Sequence, residues 1–98
     1  MATTELRRYE VAPGKMEEQL EGWRELMIVA AQYGFSVRFA FVDEEASQLV
    51  YAVTHDGDFD EAHRVYSASP ERAAVRAKMG QYVEKAHLSR VRVEIEPS

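Results

Sequence analysis

Cysteine is absent from this 98-residue chain, and so is any long apolar run. Without cysteine, the chain cannot form a disulfide, a thiolate zinc site or a cysteine nucleophile. No apolar run approaches the roughly 18 residues that a membrane-spanning helix needs. The opening stretch MATTELRRYE also lacks the apolar core of a secretory signal peptide. Together, these absences predict a soluble protein of the cytoplasm.

The length of the chain allows one domain. Its 98 residues fall within the roughly 50–250 residues of a typical domain, so we predict a single domain over residues 1–98. Hydrophobic residues make up 46% and charged residues 30%, which is ordinary for a globular protein and excludes a disordered one. Because a chain of this size buries only about 60–65% of its unfolded surface, its core is thin. A second subunit would enlarge that core.

Charge is unevenly distributed along the chain. The net charge of −5 comes from 12 basic and 17 acidic residues. Residues 43–61 hold seven acidic side chains and no basic one, whereas residues 62–98 hold seven basic and four acidic ones. Proteins that bind nucleic acid need a net basic surface, because they neutralise phosphates. We therefore predict no nucleic-acid partner.

The first half of the chain reads as a strand followed by a helix. Thr4–Val11 contains aromatic and β-branched residues and ends at an Ala-Pro-Gly turn, which indicates a strand. Apolar residues then recur every three or four positions, which predicts a helix over about 14–33. Gly34 follows the last periodic residue, where a left-handed glycine commonly ends a helix.

The second half reads as two strands, a helix interrupted once, and a last strand. Asp58 and Ser69 are predicted helix caps, and Pro70 suits the first turn of the helical segment that it begins. The predicted strands are Phe35–Val42, Gln48–His55 and Ala86–Glu96. The order β-α-β-β-α-β predicts an α+β, ferredoxin-like fold, in which one antiparallel sheet carries its helices on one face.

The faces of that sheet depend on the turn between its two middle strands. A two-residue turn between Asp43 and Ala46 would align odd positions of one strand with even positions of the next. The apolar set would then lie beneath the helices: Val37, Phe39, Phe41, Val50, Ala52 and Thr54. Val91, Val93 and Ile95 form the apolar side of the last strand. The opposite sheet face would carry Arg38, Tyr51, His55, Arg90 and Arg92. Such a face either meets solvent or lines a cavity between two sheets.

Several segments resemble NIPSNAP-type domains. These are Glu5–Tyr9, Pro13-Gly14-Lys15, Trp23-Arg24, Leu49–Asp60 and Ser67–Arg72. The resemblance covers most of the chain, and it implies a dimeric α/β barrel in which two ferredoxin-like sheets pack face to face. That superfamily includes cofactor-free monooxygenases, cyclases, isomerases, dehalogenating lyases and haem-using enzymes. The resemblance therefore implies a homodimer and a small-molecule ligand.

Candidate site residues follow from the polar sheet face. His55 and Tyr51 are predicted to act as acid or base, and Arg38 to orient a carbonyl or stabilise an enolate. The predicted ligand-binding residues are Arg7, Tyr66, Arg90 and Arg92. The alternative for His55 is a strand-end histidine bonded to the backbone. Trp23 is expected in the core because it lies on the apolar helical stripe.

No metal site and no cofactor are predicted. Asp56, Asp58 and Asp60 match the first ligands of a calcium loop, but the glycine and the final glutamate that such a loop needs are missing. Three functions stay open. The first is a small-molecule enzyme or binder that uses no metal, of the monooxygenase, isomerase or cyclase type. The second is a non-catalytic interaction dimer. The third is a haem protein with His55, His63 or His87 as axial ligand.

Overall fold

The computed structural model describes residues 2–94. Its elements are β1 (Thr3–Val11), α1 (Met16–Ala31), β2 (Phe35–Asp43), β3 (Gln48–His55), α2 (Phe59–Ser67), α3 (Pro70–Lys78) and β4 (Val83–Val91). In the described residues the four strands form one antiparallel sheet in the order β2-β3-β1-β4. The predicted α+β, ferredoxin-like fold is confirmed, and its second helical region consists of α2 and α3.

Local capping explains where the two short helices begin. Asp58 accepts a hydrogen bond from the backbone nitrogen of Glu61 at 3.0 Å, as the sequence predicts. Ser69 accepts one from the backbone nitrogen of Arg72 at 3.2 Å and donates one to the carbonyl oxygen of Tyr66 at 2.7 Å. Ser69 thus ends α2 and begins α3 with one hydroxyl group, and Pro70 occupies the first turn without losing a hydrogen bond.

The turn between β2 and β3 is longer than predicted. The strands pair from Asp43 to Gln48, so the loop spans four residues, 44–47. Near the loop, odd positions of β2 still lie opposite even positions of β3, as predicted, since Phe41 lies opposite Val50. Between Val37 and Phe39, however, the register shifts by one residue. Such a bulge reverses which side chains of β2 share a face with β3 farther along the strand.

The predicted assignment of the two sheet faces is wrong. Tyr51 and Val53, both 1% exposed, lie on the face beneath the helices and pack with Phe35. Phe39 and Phe41 lie on the opposite face and are 41% and 55% exposed. The periodicity could not decide between the faces, because β3 is apolar on both of them. We call the face away from the helices the open face; its apolar residues are Leu6, Phe39, Phe41, Val50, Ala52 and Val91.

The last strand also differs from its prediction. β4 covers Val83–Val91, where the sequence predicted Ala86–Glu96. Val91 pairs with Thr4 on the open face, whereas the predicted face would have placed it under the helices. Val93 follows the end of β4. Ile95 and Glu96 lie outside the described residues. The predicted face of β4 is wrong because the alternation of apolar and polar residues shows which side chains share a face. It does not show which of the two faces the helices cover.

Gly34 is a position where an added methyl group should be costly. Its φ is 91°, and a Cβ there would lie 2.7 Å from His55 Nε2, which is held by the carbonyl oxygen of Tyr33 at 3.0 Å. We expect Gly34→Ala to lower the free energy of unfolding by about 2–3 kcal/mol, because it adds a clash to the backbone strain. Urea unfolding measures this. The matched control is Gly14→Ala, which has φ 79° and open space, and which should cost about 1 kcal/mol. Equal losses of unfolding free energy in the two variants would contradict a clash between the added Cβ and His55.

Candidate functional site

A cavity of about 290 Å³ lies between the helix-covered face of the sheet and the helices. Its polar or aromatic lining residues are Arg7, Tyr9, Gln19, Trp23, Tyr51, His63, Tyr66, Arg72 and Arg76. The apolar part of the lining is Leu26, Met27, Met79, Val83, Ala86 and Leu88. Among the described residues that line the cavity, none is aspartate or glutamate. Three arginines therefore give the cavity a positive character.

The deepest charge in this cavity is the guanidinium group of Arg7. Arg7 is 6% exposed, and its Nε donates to Glu5 Oε1 at 2.8 Å. The other Glu5 oxygen accepts from Arg90 Nε at 2.9 Å, and Arg90 also donates to Asp60 at 2.6 Å. Burial raises the pKa of Glu5, but the hydrogen bonds and charges of Arg90 and Arg7 outweigh it and leave the pKa below its ordinary value. Glu5 is thus a carboxylate that fixes the position of Arg7.

Two tyrosines extend this network across the sheet. Tyr51 Oη lies 2.8 Å from Tyr9 Oη and accepts from Arg7 Nη1 at 3.3 Å. Burial is the main reason that the pKa of Tyr51 is raised well above its ordinary value. Tyr51 consequently stays protonated at neutral pH. If Tyr9 and Arg7 both donate to its oxygen, its own proton is available to a ligand.

The α2 side of the cavity supplies His63 and Tyr66. Burial, and then the positive charge of Arg7, lower the pKa of His63, which favours a neutral imidazole at neutral pH. The His63 ring stacks on Phe59 with a centroid distance of 6.2 Å. Tyr66 lies beside it, and the Arg72 guanidinium is 5.6 Å from the Tyr66 ring centroid. A neutral base and two protonated phenols therefore share one cavity with the arginines.

The predicted site residues divide into two groups. Tyr51, Arg7 and Tyr66 all line the cavity. Arg38, Arg90 and Arg92 instead lie along a separate open cleft at one end of the sheet. Arg38 and Tyr51, which the sequence predicted to act together, therefore line different clefts, and Arg38 lies at the bulge in β2.

His55 is also outside this cavity. Its Nε2 bonds with the carbonyl oxygen of Tyr33 at 3.0 Å, and its Nδ1 accepts from the backbone nitrogen of Gly57 at 2.9 Å. These bonds match the alternative prediction for His55, a strand-end histidine that is hydrogen-bonded to the backbone and has no acid–base role. Both ring nitrogens are engaged, so the structure gives His55 a role in holding the chain around Gly34 and Gly57.

Sequence reasoning named His63 only as a possible haem ligand and did not include it among the acid–base residues. Its spacing from Phe59 and Tyr66, at i, i+4 and i+7, was the signal, since these positions share one face of a helix. Gln19 and Trp23 on α1 are also four residues apart, and so are Arg72 and Arg76 on α3. Each pair therefore shares one face of its helix.

A metal ion has no evident site in the described part of the chain. Residues 2–94 contain no group of three or more histidine, aspartate or glutamate side chains arranged to hold one. His87 lies outside the cavity lining and pairs with Glu10 at 2.6 Å. His63 is therefore the one histidine of the three proposed haem ligands that lines the cavity.

Several solved structures share this architecture. An uncharacterised NIPSNAP domain protein from Burkholderia xenovorans matches with a TM-score of 0.80 and 21% identity, over 100% of both chains. A NIPSNAP family protein from Agrobacterium tumefaciens matches with a TM-score of 0.80 and 20% identity, over 93% of this chain and 91% of that one. The fold is that of the NIPSNAP proteins. The resemblance to NIPSNAP-type domains in the sequence is thereby confirmed at the level of the fold.

The NIPSNAP fold is also similar to that of a second group. A putative antibiotic biosynthesis monooxygenase from Bacteroides thetaiotaomicron matches with a TM-score of 0.75 and 18% identity, over 96% of this chain and 90% of that one. No family model matches the sequence, and no curated relative resembles it closely. At these identities the likeness to NIPSNAP and monooxygenase structures establishes the fold alone.

None of the helices in residues 2–94 combines the length and the apolar character that crossing a bilayer requires.

Proposed function

We propose that this protein binds a small carbonyl-bearing organic anion in the cavity and moves a proton on the carbon next to the carbonyl. This is the chemistry of an isomerase or cyclase that uses its own side chains as acid and base. The observation that carries the proposal is the convergence of Arg7, Tyr51 and His63 on one cavity. Tyr51 keeps the acid–base role that the sequence suggested. Arg7 takes the role that the sequence suggested for Arg38, which is to orient the carbonyl or stabilise the enolate.

The charge of the lining favours an anion. Arg72 and Arg76 lie on one face of α3 and line the cavity with Arg7. Arg7 is neutralised by Glu5, so the two α3 arginines supply the net positive charge. Guanidinium groups bind carboxylates through paired hydrogen bonds. The aromatic rings of the lining suit a flat ligand, and about 290 Å³ suits a small one.

The proposed reaction is a balanced proton transfer. Neutral His63 removes a proton from the carbon next to the ligand carbonyl, and the electron pair of that C–H bond moves onto the carbonyl oxygen. Tyr51, supported by Arg7, donates a hydrogen bond to the resulting enolate oxygen. Return of the proton from His63 to another carbon gives the isomer. Neither an oxidant nor a reductant is consumed.

A cofactor-free monooxygenase is the second candidate. The fold likeness to a putative antibiotic biosynthesis monooxygenase favours it. Such an enzyme would use the same enolate and would consume dioxygen as co-reactant. Oxygen uptake in the presence of a bound ligand would distinguish it from an isomerase.

A homodimer is proposed on separate grounds. The rings of Phe39 and Phe41 stack at 5.8 Å on the open face, and Val91 beside Thr4 is 37% exposed. Exposed apolar patches of this kind usually mark an interaction surface. A second copy of the same sheet would cover it, because a two-fold interface pairs one patch with itself. The cytoplasmic location and the exclusion of nucleic acid stay predictions from the sequence.

The binding proposal is tested with 4-acetylbenzoate as probe. Trp23 is the one tryptophan of the chain and lines the cavity, so its fluorescence should change on binding. Replacing Arg72 and Arg76 together with methionine should weaken binding about 10- to 100-fold, because hydrogen bonds to charged groups are lost. The matched control is Arg64→Met, since Arg64 lies on α2 and pairs with Glu61 at 2.6 Å. An equal loss in the control would contradict binding at this cavity.

The proton-transfer proposal is tested with the same probe in D₂O. The protein should accelerate exchange of the acetyl methyl protons for deuterium, measured by proton NMR, and His63→Gln should abolish the acceleration. Exchange at the rate of buffer alone, with binding intact, would contradict the reaction and support the non-catalytic alternative.

A further inference from the structure

The indole nitrogen of Trp23 is an exception among the buried polar groups of residues 2–94. It is the one buried side-chain nitrogen or oxygen there that has no hydrogen-bond partner. Indole Nε1 is a donor only, so it requires an acceptor. Buried donors in proteins nearly always have a partner, and an orphan calls for an explanation.

Trp23 is placed where a ligand could supply that acceptor. It lines the cavity, and its ring meets the Tyr51 ring edge-on at 5.1 Å. The Tyr51 hydroxyl does not satisfy the indole, since Tyr51 is engaged with Tyr9 and Arg7. The ring that carries the unpartnered donor therefore lies against the ring of Tyr51, to whose hydroxyl the proposed function assigns the ligand carbonyl.

The balance of donors and acceptors narrows the ligand class. The lining contains three arginines and Trp23, which only donate, and no carboxylate among its described residues. Gln19, the tyrosines and a neutral His63 can accept hydrogen bonds, but each of them also donates, so the lining contains groups that only donate and none that only accepts. A carbonyl oxygen brings two acceptor sites and no donor. One such oxygen can accept from two donors at once, as the proposal for Tyr51 and Trp23 requires.

We propose that Trp23 selects oxo acids as ligands by donating a hydrogen bond from Nε1 to their carbonyl oxygen. The inference rests on the proposed function, which places an organic anion in the cavity, and it adds the group by which that anion is recognised. Oxo acids then bind better than acids of the same shape that lack the carbonyl, and Trp23 adds to the preference that the Tyr51 hydroxyl supplies.

The experiment compares 4-acetylbenzoate with 4-isopropylbenzoate, which has nearly the same shape and no carbonyl. Because the chain has one tryptophan, a ¹⁵N-labelled sample gives one indole cross-peak that reports on this donor directly. The cross-peak should move downfield with 4-acetylbenzoate and not with 4-isopropylbenzoate. Calorimetry should give more than tenfold tighter binding of 4-acetylbenzoate, because Tyr51 and Trp23 both donate to its carbonyl and one buried hydrogen bond is worth about tenfold. Trp23→Phe keeps a ring without the donor and should reduce that preference about tenfold, to the part that Tyr51 supplies.

The outcomes separate the two proposals. Equal binding of both acids with an unmoved indole cross-peak would overturn the role of Trp23 and leave the anion site standing. A preference of unchanged size in Trp23→Phe would overturn it as well. Failure of both acids to bind the unmodified protein would overturn the proposed function and this inference together. The NMR comparison uses the unmodified chain, so it decides the matter even if Trp23→Phe does not fold.

Discussion

Glu5→Gln should lower the free energy of unfolding at pH 7 by about 3 kcal/mol. Glu5 is 8% exposed and bonds to Arg7 at 2.8 Å and to Arg90 at 2.9 Å. The substitution keeps the shape of the side chain but removes the charge that compensates the buried guanidinium of Arg7. An uncompensated charge in a buried site is the main cost of breaking such a pair. Urea unfolding monitored by circular dichroism measures the loss.

A control and a rescue make this prediction specific. Glu61→Gln removes a carboxylate from an exposed ion pair, with Arg64 at 2.6 Å, and should cost much less than Glu5→Gln, because solvent screens exposed pairs. Replacing Glu5 with leucine and Arg7 with methionine together should be less destabilising than Glu5→Leu alone, because the double variant leaves no unpaired charge at Arg7. If Glu5→Gln cost no more than Glu61→Gln, Glu5 would not fix Arg7 in the way we describe.

The same carboxylate predicts a dependence of stability on pH. The pKa of Glu5 is lowered in the folded state, so the unfolded chain binds its proton more readily and the stabilisation is present above the unfolded pKa, about 4.3. It is lost as the pH falls through the folded pKa. The difference in stability between the unmodified protein and Glu5→Gln should therefore shrink below about pH 4. Unfolding curves at several pH values test this, and a difference that stayed constant to low pH would contradict it.

Phe41→Asp should convert the proposed homodimer into a monomer. Phe41 is 55% exposed on the open face and stacks with Phe39. In a two-fold interface the substitution acts twice, so it would bury two unpaired carboxylates. We expect the dissociation constant to rise at least about a thousandfold, measured by sedimentation equilibrium.

The control for this variant has the same change on another exposed apolar residue. Ile28 lies on α1 and is 66% exposed, away from the sheet, so Ile28→Asp should leave the dimer intact. A stable monomer of the unmodified protein at micromolar concentration would contradict the dimer. So would dissociation by Ile28→Asp and not by Phe41→Asp.

The candidate site was predictable in its residue types and not in its location. Arg7, Tyr51 and Tyr66 were expected to bind or act on a ligand, and they line one cavity. The sequence favoured the opposite sheet face because β3 carries apolar residues on both sides. His63 was considered only as a haem ligand and Trp23 only as a core residue, so neither was predicted to bind or act on a ligand at this cavity. Their importance depends on neighbours such as Tyr51, which are far away along the chain.

The sequence by itself determined the order of the elements and the points where the short helices begin. Those features depend on residues within a few positions of each other, as when Asp58 bonds to the nitrogen of Glu61. Only the tertiary structure decided which face of the sheet lies under the helices. That choice depends on how the helices pack on the sheet. Strand register, including the single-residue shift between Val37 and Phe39, decides which side chains of β2 and β3 share a face. The side chains that share the cavity follow from that choice.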